Sequence, residues 1–215
     1  MSQKAFSRLD IDGLEKRFRT NLINSLTGFK SVSLIATASL EGTTNLSIFS
    51  QIIHVGANPP LVGVLFRPHT VPRHTLENIL ATQHFTINHI RDSFVVKAHH
   101  TSARWDQSEF EACELTPEYD KEVSAPFVAE ASVKIGLSYV EHYTLKCNET
   151  VFLVGEIQKI LLPDDSLGSD GFIDLVKAGT MTCSGLDAYH KVQEPTRFAY
   201  AKPNQPLERI DKGVN

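Results

Sequence analysis

Residues 67–75 (RPHTVPRHT) set Arg67, Arg73, His74 and Thr75 immediately ahead of Leu76, Ile79 and Leu80, three apolar residues that share one face at helical spacing. A short helix is therefore expected to begin near His74, with Asn78 one turn inside it. The first turn of a helix presents unpaired backbone N–H groups and the positive end of the macrodipole. Two guanidinium groups, an imidazole and a hydroxyl placed there suit a phosphate. The same residues would also serve as a plain N-cap and surface charges, and what favours the ligand is the stretch before them. In residues 45–50 (NLSIFS) the small polar Asn45, Ser47 and Ser50 punctuate Leu46, Ile48 and Phe49. A strand face of this kind can take a flat ring, with apolar side chains against its faces and amide groups at its polar edge. An exposed strand shows a similar alternation, so the two stretches carry weight only together: a phosphorylated, planar ligand.

Several elements must position them. Residues 61–66 (LVGVLF) form an uninterrupted apolar run, expected as a buried strand after the Pro59-Pro60 break and stopped by Pro68 and Pro72. Residues 31–39 alternate apolar and small side chains, and 41–43 (EGT) turn the chain into a returning strand over 46–53. Upstream, Asp10 or Asp12 is expected to cap one helix carrying Leu14, Phe18, Leu22 and Leu26 as a single apolar stripe. Downstream, strands are expected over 83–88, 128–136, 138–146 and 151–162, with Gly155 permitting a bulge in the last. Short helices are expected over 93–100 and 109–115, and a helical turn over 172–177. Many strands joined by short turns, with few scattered helices, predict a mainly β fold: an antiparallel barrel with peripheral helices.

Composition narrows the function classes. A chain of 215 residues with 41% hydrophobic content fits one sizeable domain with its own core. A net charge of −4 argues against general nucleic-acid binding, while the basic cluster at Arg67 and Arg73 stays compatible with an anionic small molecule. No apolar run is long enough to cross a bilayer and the first residues lack the apolar core of a signal peptide, so no membrane association and a cytoplasmic location are expected. Cys113, Cys147 and Cys183 are odd in number and outside any CxxC arrangement, which predicts reduced structural thiols. Adjacent His99 and His100 would point about 100° apart on a helix, a poor placement for one metal ion, and no metal site is predicted.

The succession of short motifs resembles the flavin reductase-like proteins of the FMN-binding split-barrel fold. It runs through 45–50 (NLSIFS), 59–62 (PPLV), Arg67, 74–79 (HTLENI), 85–88 (FTIN), 108–110 (SEF), 154–157 (VGEI) and 185–190 (GLDAYH), and covers roughly 31–203. The resemblance implies a Greek-key antiparallel split barrel over 31–203, an N-terminal arm and helix over 1–30 packed on it, and a C-terminal tail over 204–215. It implies an oxidoreductase of flavin reductase type, binding FMN, with FAD as an alternative, and a homodimer with flavin near the subunit interface. The cofactor-binding residues it suggests are Asn45, Leu46, Ser47, Ile48, Phe49 and Ser50 along the ring, with Arg67, Arg73, His74, Thr75 and Asn78 at the phosphate. Tyr189 and His190 are candidates for ring or nicotinamide contact, with plain packing as their other role, and Ser102, Arg104 and Trp105 lie where the family has a mobile segment over the flavin, with a packed surface loop as the preferred reading. No GxGxxG follows a strand, so NAD(P)H is expected as a transient donor over the flavin rather than in a Rossmann site. Hydride transfer needs stacking and distance control more than an acid or base, and no catalytic side chain is assigned. Two alternatives stay open: a flavoprotein with tightly held FMN serving another acceptor, and a non-catalytic flavin or haem binder. One departure from the family pattern is 133–137 (VKIGL), where an acidic strand is usual; His142, loosely aligned with a family histidine, is left out of the site.

Overall fold

Strand β2 (Ser33–Ala38) is buried on both faces, and its alternate side chains enter two different cores. Leu34 and Ala36 pack with Phe94, Ala98 and Phe110, whereas Ile35 packs with Phe85, Ile87 and Leu137. The two-residue period of a strand requires this division. The computed structural model describes residues 2–210. Before β2 come helices α1 (Arg8–Gly13) and α2 (Lys16–Leu26) and the short β1 (Lys30–Ser31). After it follow β3 (Thr44–Phe49), β4 (Ile52–Ala57), β5 (Pro60–Phe66), α3 (His74–Thr82), β6 (His84–His89), α4 (Val95–His100) and α5 (Glu109–Ala112). The remainder comprises β7 (Pro117–Glu118), β8 (Phe127–Val128), β9 (Lys134–Thr144), β10 (Val151–Leu161), β11 (Met181–Ser184), β12 (Ala188–Lys191), β13 (Arg197–Phe198) and β14 (Arg209–Ile210).

Seven strands form one antiparallel sheet in the order β3-β2-β6-β9-β10-β5-β4. The two outermost strands, β3 and β4, are separated in sequence only by Ser50 and Gln51. Three Cα steps reach roughly 11 Å, so the sheet has to curl until its edges nearly meet. Those edges are joined by the chain and not by a ladder, which makes the barrel a split one. The returning strand expected over 46–53 is thus two strands: Ser50 and Gln51 carry the chain from one end of the sheet order to the other.

The barrel interior holds Ile35, Val64, Phe85, Ile87, Leu137 and Leu153, all fully buried. Leu76 and Ile79 of α3 plug the same interior, so the apolar face of the helix fixes where its N-terminus lies. Gly155 sits at a register shift of the β10–β9 ladder, as its sequence position predicts, and a Cβ there would lie 2.6 Å from Phe85 Cζ. The two strands expected over 128–136 and 138–146 are one. Strand β9 runs unbroken because β6 and β10 pair with it on both sides, which overrides the weak propensity of Gly136 and Ser138. Residues 127–128 belong instead to the short β7–β8 pair.

The single N-terminal helix expected from its apolar stripe is also two. Ser7 and Asp10 form a capping box on α1, Leu14 is extended, and the Glu15 carboxylate accepts from the Phe18 amide to start α2. No residue of either helix is buried. Residues 178–190 fold as the β11–β12 hairpin, which pairs with β1 in a separate three-stranded sheet. The expected tail from 204 onward turns back so that β14 pairs with β13; 211–215 lie outside the described residues.

Candidate functional site

A cleft of ≈ 1270 Å³ opens between the N-terminus of α3, the free edge of β3, the segment after α4 and the β11–β12 hairpin. Its positions follow from the fold. Strand β3 is the last of the sheet order, so one of its edges has no partner strand. The Leu46 amide on that edge donates to Glu109 Oε2 (3.0 Å) of α5. The alternation of an antiparallel ladder then turns the N–H and C=O of Ile48 to the same open side, toward the cleft that Ser47, Ile48 and Ser50 line.

At the other side of β3, Asn45 Nδ2 donates to Thr75 Oγ1 (2.9 Å) and Thr37 Oγ1 (3.2 Å), and Asn78 Nδ2 donates to Thr37 Oγ1 (3.1 Å). This buried network clamps the first turn of α3 to the sheet. The helix has Arg73 as its N-cap residue, and no side-chain cap closes it. Glu77 accepts from the Arg73 amide (3.0 Å) and meets His69 Nε2 (2.8 Å), which folds the preceding loop against the helix and holds the Glu77 carboxyl below the usual carboxylate range, the Arg73 amide being the main cause. Arg67, Arg73 and His74 line the cleft beside this turn, and Arg67 has no ion-pair partner among the described residues. A helix start without a side-chain cap, next to an unpaired guanidinium, is an anion site in the chemical sense.

The opposite wall is aromatic. Tyr189 of β12 and His99 of α4 are hydrogen-bonded, OH to Nδ1 at 2.7 Å, with their rings edge to face at 5.6 Å. Burial, with Cys183 and Asp187 adding to it, pushes the Tyr189 phenol up to about 12. Trp105 is fixed by its Nε1–H donating to the His100 carbonyl (3.1 Å) and by an edge contact with the His100 ring. Among the described residues no cluster of three or more His, Cys, Asp or Glu side chains is arranged to hold a metal ion, and no helix is long and apolar enough to cross a membrane.

Residues 27–179 match the model of the flavin reductase-like domain. The chain belongs to the flavin reductase-like family. In structure it superimposes with a TM-score of 0.89 on a candidate flavin reductase with a split barrel domain from Shewanella frigidimarina NCIMB 400, at 49% identity over 93% of this chain and 100% of that one. Nitrilotriacetate monooxygenase component B from Bacillus cereus follows at 0.79, with 19% identity over 91% and 98% of the two chains. The 2-nitrobenzoate 2-nitroreductase of Pseudomonas fluorescens follows at 0.78, with 17% identity over 94% and 98%. The last two share the split-barrel fold with this chain.

Ten of the thirteen residues singled out from the sequence of this flavin reductase-like protein line the cleft. They are Asn45, Ser47, Ile48, Phe49 and Ser50 on and after β3, Arg67, Arg73, His74 and Thr75 around the α3 start, and Tyr189 on β12. Three do not line it. Leu46 is fully buried in the outer core, Asn78 is spent on Thr37, and His190 points along the hairpin to Ser184 Oγ (2.8 Å) and packs edge-on against Phe29. Each lies one or a few residues from a lining position, and the period of its element turns it away. His142, left out, meets the Tyr139 hydroxyl at 2.8 Å. The sequence missed His99 and Glu109 and assigned Trp105 to a packed loop, yet all three line the cleft. Trp105, the only tryptophan, and Glu109, inside the 108–110 (SEF) motif, were visible signals; His99 is brought in from a helix whose placement no local pattern reveals.

Proposed function

We propose that this protein binds FMN in the cleft, accepts FAD in the same place, and reduces the flavin with NAD(P)H. The observation that carries this reading is a single cleft that joins an anion-ready helix start to an unpaired strand edge. The residues fit the group: Arg67 and the first turn of α3 would hold the phosphate, and the Ile48 backbone edge with Ser47 and Ser50 would meet the polar rim of the ring. Bound there, the flavin would supply the hydride-accepting chemistry that no side chain provides. Arg67, Arg73 and His74 would then neutralise the phosphate, β3 would lie along the ring, and Trp105 and Tyr189 would keep water from its surroundings. Pockets for one small molecule span about 300–1,000 Å³, so a cleft of ≈ 1270 Å³ leaves room for a nicotinamide donor to lie over the flavin. The family supports the reading, as does the similarity to the Shewanella frigidimarina protein.

The test is the absorbance spectrum of protein incubated with FMN and freed of excess by gel filtration, followed by anaerobic NADH and then NADPH. Flavin bands near 450 nm that bleach with one of them are expected. Bound flavin that neither donor bleaches would remove the reductase activity and leave a flavoprotein serving another reductant; absence of flavin together with no NAD(P)H oxidation in its presence would remove the reading.

A further inference from the structure

The cleft wall contains groups that flavin binding does not explain. His99 is solvent-exposed on α4, and its Nδ1 lies 2.7 Å from the hydroxyl of the half-buried Tyr189, while both residues line the cleft. Behind them the buried Cys183, which also lines the cleft, faces Tyr189 across the β11–β12 ladder. The groups that face the phenol are therefore His99 from α4 and Cys183 and Asp187 from its own hairpin. Among the described residues neither the thiol nor the carboxylate is hydrogen-bonded to the Tyr189 oxygen, and the imidazole is its one hydrogen-bond partner.

We propose that the His99–Tyr189 pair delivers to the cleft the proton that accompanies hydride transfer. This rests on the proposed function. The step balances: NAD(P)H gives up a hydride and becomes NAD(P)⁺, the flavin would gain that hydride's two electrons and proton as an anionic reduced ring, and one further proton would make that ring neutral. When His99 Nδ1–H donates to the phenol oxygen, the Tyr189 O–H is free to point into the cleft. Tyr189 passes its proton to the ligand as its oxygen takes the Nδ1 proton of His99, and the other ring nitrogen of His99 takes a proton from bulk solvent in the same step, so that neither phenolate nor imidazolate is left. An imidazole suits the outer position because one ring nitrogen meets the phenol while the exposed ring keeps the other within reach of solvent. A phenol held protonated by burial suits the inner one, since it conducts a proton without carrying charge into an apolar wall. Tyr189 is thus the catalytic acid, and His99 a positioning and relay residue acting through it.

The test uses full-length protein with FMN and the variants Tyr189→Phe and His99→Ala. FMN affinity is read by fluorescence, and anaerobic reduction by NADH or NADPH by stopped flow in H₂O and D₂O. Tyr189→Phe is expected to slow reduction by about 10²-fold or more, the lower end for general acid catalysis, and to change FMN affinity less than threefold. His99→Ala should lose rate likewise, and added imidazole should restore it in His99→Ala but not in Tyr189→Phe. The solvent isotope effect of the wild type should vanish in neither variant alone without the rate loss. An unchanged Tyr189→Phe rate, or a rate loss matched by an equal loss of FMN affinity, overturns the relay. If wild-type protein binds FMN but neither nicotinamide reduces it, the reductase reading falls alone; the midpoint potential of bound FMN then decides the pair. Loss of the Tyr189 donor must lower that potential, and equal potentials in wild type and Tyr189→Phe overturn the proposal.

Discussion

Arg67 and Thr75 both face the anion end of the cleft, yet they differ in what else they do. Arg67 is exposed and has no ion-pair partner among the described residues, so Arg67→Ala should weaken FMN binding by about 1–3 kcal/mol, the range for a charge-assisted bond, and leave the urea midpoint unchanged. Thr75 is buried and accepts from Asn45, so Thr75→Ala should lower both flavin affinity and stability, whereas Thr75→Ser retains the hydroxyl and should restore stability. His89 gives a pH prediction. Burial pushes its imidazole from 6.5 to about 4, with Nδ1 at 3.1 Å from Thr180 Oγ1. The folded state holds fewer protons than the unfolded chain between those values, so the native state loses stability as pH falls from 6.5 to 4 and keeps it above 6.5. The shift sets a ceiling of about 3 kcal/mol, reduced to the extent that the outer edge of His89 meets water. Urea unfolding at pH 7 and pH 4 checks this, and His89→Asn should show a smaller loss across the same interval.

At the level of elements, the site depends on how β3 and α3 are held. The α3 apolar face is committed to the barrel interior through Leu76 and Ile79, and Asn45 ties its first turn to β3. Strand β10 supports the interior from the far side, with Gly155 making room for Phe85. Gly155→Ala would place a methyl 2.6 Å from a ring that is fully buried, and should cost about 1–3 kcal/mol by overpacking, read as a lower urea midpoint. Adding Phe85→Leu should recover part of that loss. These elements were largely legible: the β2–β3 hairpin, the helix start at His74, the strand over 83–88 and the bulge at Gly155 all follow from period, proline and glycine. The break at Ser50 and Gln51 was not, because nothing local separates one eight-residue strand from two short ones on opposite edges of a curled sheet.

On the scale of the whole molecule, the described residues leave an apolar surface uncovered. Helix α2 has no buried residue, and Phe18, Leu26 and the following Phe29 are 50%, 68% and 71% exposed. Asn24 of the same helix lines the cleft. The homodimer that the family resemblance implies would cover this face with a second copy beside the cleft. Light scattering should give twice the 23.9 kDa chain mass. Leu26→Asp should shift the protein toward monomer and weaken flavin binding in parallel; a monomeric wild type would refute the assembly.

What the sequence determined by itself is whatever rests on local physics. Alternation fixed β2 and β3, prolines and helical spacing fixed the start of α3, and the order of the motifs along 31–203 pointed to the family and to most of the cleft-lining positions on β3 and around Arg67. What only the tertiary structure decided is which neighbour in sequence faces the cleft and which turns away. Leu46, Asn78 and His190 turn inward or sideways because the registers of β3, α3 and β12 are set by partners far along the chain. His99 meets Tyr189, Glu109 meets β3 and Trp105 lines the same cleft only because α4 and α5 pack on the outer core, and contacts between residues 90 and 63 positions apart leave no periodic trace in either segment.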